Sequence, residues 1–81
     1  MKGQVRIEQM FAFIVVDDDG TEGIPAVQTM NLGYPTALPL VGADMARIDS
    51  IRHFAQKIAR DMKKPVMLVK FTKREEVEII R

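Results

Sequence analysis

The sequence predicts an α+β fold of two layers, an antiparallel sheet of three to four strands with one long helix packed on one face. The expected order is β-β-β-α-β, followed by a short C-terminal helix or strand. Three stretches lead there. Between Asp44 and Lys64 the residues Ile48, Ile51, Ala55, Ile58 and Met62 recur at alternating steps of three and four, which puts them on one stripe of a helix. The run MFAFIVV, residues 10–16, is aromatic and β-branched and ends in an Asp/Gly cluster, as a strand entering a turn does. After Pro65, VMLVKF (Val66 to Phe71) has the same character.

Each element has a local reason. Gln4 to Glu8 alternates polar and apolar residues in the manner of a strand. Gln9 to Asp17 is the first main strand, and Asp19-Gly20 suits a tight hairpin turn whose central residues need positive φ. A two-residue loop sets Val15 against Ile24 and Phe13 against Ala26, but it also sets Asp17 against Glu22. That like-charge pair leaves a slipped or longer loop open as the alternative. The returning strand runs from about Thr21 to Thr29, with Pro25 marking it as an edge or bulged strand. Met30 to Thr36 collects Asn, Gly and Pro and is expected to be a loop. Ala37 to Val41 is a short third strand, again with a proline, and Gly42 ends it.

Asp44 is the expected N-cap of the helix, since a carboxylate there accepts from the free N–H groups of the first turn. Pro65 ends the helix by pushing the preceding residue out of the α region. Lys63 and Lys64 sit where the helix dipole favours cations. Thr72 and Glu75 have capping-box spacing, so Lys73 to Ile80 is read either as a short helix burying Val77 and Ile80 or, because EVEII alternates, as a strand.

Composition excludes several classes of function. The 81 residues form one domain, residues 1–81, with a core that leaves only a few kcal/mol of net stability. With no cysteine there is neither a disulfide scaffold nor a thiolate nucleophile or zinc site, which suits a reducing cytoplasm. The longest apolar run is far below the roughly 20 residues of a membrane span, and the first residues lack a signal-peptide core. No membrane contact is expected. The net charge of +1 conceals an asymmetry: two basic against five acidic residues through Ala43, then ten against six from Asp44 onward. Such a division can steer an anionic partner, or bring opposite ends of two copies together.

In outline, the strand, strand, strand, helix, strand order with the acidic-glycine hairpin DDDG resembles the HicB-type antitoxin domain over about Phe11 to Phe71. The chain departs from that family where a proline-glycine loop usually precedes the helix; here the segment reads NLGYPTALPLVG. The resemblance is one of topology, and no site residue is carried over from it.

No residue set points to catalysis or to a cofactor. Asp49, Ser50 and His53 lie within one helical turn and include the residue types of a hydrolase triad. They lack oxyanion donors and the sharp turn that presents a nucleophilic serine. Asp17, Asp18 and Asp19 are oxygen donors, but their spacing does not match a calcium-binding loop, so they read as a solvated hairpin tip. His53 is the single histidine and has no thiolate partner for a metal.

Two surfaces remain. The first main strand is apolar on both sides: Phe11, Phe13 and Val15 point one way and Met10, Ala12, Ile14 and Val16 the other. One helix covers only one of these sides, so either the C-terminal segment with Val77 and Ile80 folds over the other or another chain does. The expected protein interface is therefore Met10, Ala12, Ile14 and Val16, joined by Leu32 and Tyr34 of the 30–36 segment, and its partner is a second copy or another protein. The alternative is nucleic acid held by the basic helix face, with Arg47, Arg52, Lys57, Arg60 and Lys64 spread over phosphate spacing. The interleaved acids and the shortage of aromatic residues free to stack on bases weigh against it. The sequence thus leads to a cytoplasmic, non-enzymatic interaction module.

Overall fold

The strand MFAFIVV lies at the centre of a four-stranded antiparallel sheet and is bonded along both edges. The computed structural model describes residues 6–81. This central strand is β1 (Met10–Val16). On one edge it pairs with two short strands, β2 (Glu22–Gly23) and β5 (Val41–Gly42); on the other it pairs along its length with β6 (Val66–Phe71). Between β2 and β5 the chain leaves the sheet as a separate two-stranded hairpin of β3 (Ala26–Asn31) and β4 (Tyr34–Pro39). The helix α1 (Met45–Met62) then crosses one face of the four-stranded sheet.

The expected class, with one helix on an antiparallel sheet in the order β-β-β-α-β, is the observed one. Its core is the expected stripe packed on the expected strand face. Ile48, Ile51 and Ala55 of α1 bury against Phe11 and Phe13 of β1, with Leu40 between them. The stripe is less enclosed toward its C-terminal end: Ile58 is half-buried against the core and Met62 is exposed, and both line a cavity with Val15, Ile24 and Pro25. Both helix ends follow from their residues. The Arg47 N–H donates to the Asp44 carboxylate at 2.9 Å, and Lys63 closes the C-terminus in the left-handed region at φ 54°.

The first hairpin takes the longer loop. Val15 faces Gly23 and Val16 faces Glu22, one residue off the two-residue-loop register. The Asp17 N–H donates to the Thr21 carbonyl at 2.8 Å and the Gly20 N–H to the Asp17 carbonyl at 2.9 Å, with Gly20 at φ +87°. This is a three-residue loop with a left-handed glycine, and it removes the opposition of Asp17 and Glu22.

Five expectations need correction. The strand expected over Thr21 to Thr29 is broken at Ile24-Pro25, where the chain leaves β1: only Glu22–Gly23 pairs with β1, and the residues from Ala26 onward pair with β4. The segment Met30 to Thr36 is not an open loop but the turn end of the β3–β4 hairpin, closed through Leu32-Gly33. The strand expected over Ala37 to Val41 is broken at Leu40, whose buried side chain turns the chain out of the hairpin and back to the sheet. Residues 72–81 form neither a helix nor a strand, and Val77 and Ile80 are exposed instead of covering the second sheet face. The strand expected over Gln4 to Glu8 begins outside the described residues, and residues 6–9 have no regular structure.

Two prolines mark β4 as an edge. The Leu40 N–H donates to the Pro25 carbonyl at 3.1 Å, so Thr36 and Leu38 share its bonding parity, while Pro35 and Pro39 point away from β3. Neither proline costs the ladder a hydrogen bond.

Gly42 marks the closest approach of the sheet to the helix. A Cβ added there would lie 2.5 Å from Arg47 Cγ and 2.9 Å from Arg47 Cβ. Gly42→Ala is expected to destabilise the domain by about 1–3 kcal/mol through overpacking at this contact. Urea unfolding at constant m-value measures it, and an unchanged midpoint contradicts the contact.

Candidate functional site

Antiparallel register fixes which side chains share a face, because directly opposed residues project to the same side. Phe11, Phe13 and Val15 face α1, with Leu68 and Val66 of β6 beside them. The opposite face carries Met10 beside Phe71, Ala12 between Val41 and Val69, and Ile14 beside Met67. All of these are apolar. The helix contacts are made on the other side of the sheet.

The expected interface residues fare differently. Ala12 and Ile14 are only 3% and 5% exposed and so offer no accessible side chain in the single chain. Met10 is exposed and Val16 half-buried. Met67 and Phe71, both exposed, belong to the same face and were absent from the sequence-derived set. The signal for them was the alternation of β6 itself, which places Met67, Val69 and Phe71 on one side.

Leu32 and Tyr34 lie elsewhere, at the tip of the β3–β4 hairpin with Met30. Leu32 is 91% exposed and holds φ 51°, and Gly33 follows at φ +84°. Two successive positive φ values make the two-residue turn that matches strand twist, for which Asn-Gly is the favoured pair. An aliphatic residue in the first position carries left-handed strain of about 1–2 kcal/mol and gains no burial for it.

Salt bridges occupy much of the basic helix face. Arg52 pairs with Asp49 at 3.2 Å and lies 6.0 Å from the Phe13 ring centroid. Lys57 pairs with Asp61 at 3.0 Å. Lys64 reaches back to the first hairpin, 3.3 Å from Asp17 and 4.0 Å from Asp18. Among the described residues Arg47 and Arg60 have no ion pair. The structure does not bring the five expected nucleic-acid contacts together as one unpaired patch.

The residues weighed for chemistry are engaged locally. Ser50 donates its hydroxyl to the Arg47 carbonyl at 2.6 Å, Asp49 is held by Arg52, and the His53 ring lies 4.0 Å from that of Phe54. Asp19 accepts from the Thr21 N–H at 2.9 Å, and this bond holds its carboxyl below the usual 3.8. Among the described residues no three His, Asp or Glu side chains are grouped to hold a metal ion. No described helix is long and apolar enough to cross a membrane.

No protein-family model, curated protein or solved structure matches the chain. The likeness to the HicB-type domain therefore rests on element order alone, and the β3–β4 hairpin interrupts even that between the second and third strands of the sheet.

Two outcomes follow from these contacts. Leu32→Asn is expected to raise stability by about 1 kcal/mol, since Asn tolerates the left-handed region and the exposed leucine loses nothing; thermal unfolding measures it, and a lower midpoint contradicts the turn assignment. The Asp19 bond favours the charged carboxyl, so its contribution is present above pH 3.8 and lost as pH falls through the lowered folded value. Carboxyl-resolved NMR titration checks this, and a midpoint at or above 3.8 contradicts it.

Proposed function

We propose that this chain is a small cytoplasmic, non-enzymatic protein-interaction module that self-associates or binds a protein partner through the sheet face opposite α1. One observation carries the reading: the face opposite α1 is apolar, and Met10, Met67 and Phe71 remain exposed on it around the buried Ala12 and Ile14. Left in water, each large side chain there forgoes roughly 1.5 kcal/mol or more of burial, and grouped apolar exposure of this kind is characteristic of interfaces. The hairpin tip supports the reading independently. A strained, exposed Leu32 between Met30 and Tyr34 reduces the stability of the free chain and suits an anchor inserted into a partner.

A reducing compartment suits a chain without cysteine. Nucleic-acid binding through Arg47, Arg52, Lys57, Arg60 and Lys64 is the weaker reading, because Arg52, Lys57 and Lys64 already have carboxylate partners.

Size-exclusion chromatography with light scattering tests the proposal. The chain is expected to run above monomer mass, and a Met10→Glu/Met67→Glu double variant to shift it toward monomer while keeping its circular dichroism. A chain that stays monomeric at every concentration and recovers no partner in pull-down overturns it.

A further inference from the structure

The outer edge of β6 is open, and its hydrogen-bonding groups can be assigned. Phe13 donates its N–H to Leu40 and Asp17 its N–H to Thr21, so the odd-numbered residues of β1 bond toward β2 and β5. The even-numbered ones must then bond toward β6. Their register partners are Phe71, Val69 and Met67. Val66, Leu68 and Lys70 consequently turn both N–H and C=O away from β1, to an edge where no described residue meets them.

Side-chain cover is also incomplete along this edge. Leu68 lies on the helix face and is exposed, and it lines a groove of about 200 Å³ between α1 and β6 together with the apolar Phe13, Ala55, Ala59 and Val66 and the polar Arg52 and Gln56. Met67 and Phe71 are exposed on the other face. An open, six-residue, mostly apolar edge with a single lysine is the kind that recruits another strand.

We propose that the partner at this edge is a second copy of the chain, whose β6 pairs antiparallel with the first about a two-fold axis through Leu68. The inference rests on the self-association proposed above but places the contact at the β6 edge, which leaves the face opposite α1 accessible. A two-fold axis perpendicular to the sheet keeps each face on its own side, so only residues of equal parity are opposed. Centred on Leu68, the pairing sets Leu68 against Leu68 of the second copy, and Val66 against Lys70. All the outward N–H and C=O groups of Val66, Leu68 and Lys70 are then bonded. The two Lys70 ammonium groups are kept apart, each opposite a valine. The paired leucines fill the groove beside Ala55 and Ala59, and Met67 meets Val69 of the second copy on the open face. The four-stranded sheets become one continuous sheet with both helices on the same side.

Amide hydrogen exchange by NMR on the full chain, at concentrations spanning the mass transition seen by light scattering, tests this. The amides of Val66, Leu68 and Lys70 are expected to gain protection with dimer formation, while those of Met67, Val69 and Phe71 are protected throughout. Lys70→Pro, which removes an outward N–H and leaves the β1 ladder intact, is expected to weaken dimerisation about tenfold or more with monomer unfolding unchanged. A dimer in which Val66, Leu68 and Lys70 exchange as freely as loop amides overturns the edge pairing and leaves the face-mediated reading standing. A chain that remains monomeric at all concentrations, with those amides unprotected, overturns both.

Discussion

Leu40 holds the two sheets of this protein in one structure. Its N–H bonds to Pro25 at the base of the β3–β4 hairpin and its carbonyl accepts from Phe13 of β1, while its side chain, wholly buried, meets Ile48 and Ile51 from the helix. Hairpin, sheet and helix thus converge on one residue. The constraint explains why β5 is only two residues long: the chain rejoins β1 directly after Leu40, and Gly42 then brings it under the first turn of α1, where a larger residue has no space. Polar burial contributes little to this arrangement. No polar or charged side chain among the described residues is buried, so specificity comes from register and from the shapes of apolar side chains.

The sheet asks more of its cover than one helix supplies. Burial of Ile48, Ile51 and the facing phenylalanines contributes on the order of 2 kcal/mol for each large side chain. The same β1 strand turns an equally apolar set to the other side. There Ala12 and Ile14 are buried, while Met67 and Phe71, one strand further out, are exposed. The exposed residues concentrate toward β6, so the accessible part of that face and the unpaired edge form one continuous region.

Legibility in the sequence followed the range of the interactions. The helix, its Asp44 cap and its buried stripe were readable because they depend on neighbours three and four residues apart. β1 and β6 were readable from composition. The 30–36 segment was misread because its turn is built by Leu32-Gly33, and leucine is not a residue that announces positive φ. Pro35 added to the impression of a loop; it is tolerated because, like Pro39, it falls on the non-bonded side of β4, a parity set by Leu40. The sequence located a two-sided strand but not which of its outward residues stay accessible, since that depends on strand order. Nothing local to Met10, Ala12, Ile14 and Val16 tells the middle of a sheet from its rim.

The ladder between β1 and β6 also shapes how the chain reaches its fold. These strands lie on opposite sides in sequence of the whole β3–β4 hairpin and of α1, so their pairing closes the longest loop in the molecule and must await both. Until it forms, the backbone groups of Met10, Ala12, Ile14 and Val16 are free on a strand of high β-propensity, a target for mispairing with other unfinished chains. Asp17, Asp18 and Asp19 follow directly on that strand. Beyond holding Lys64 and shaping the turn, their charges stand as gatekeepers at the end of β1 for as long as β6 is absent.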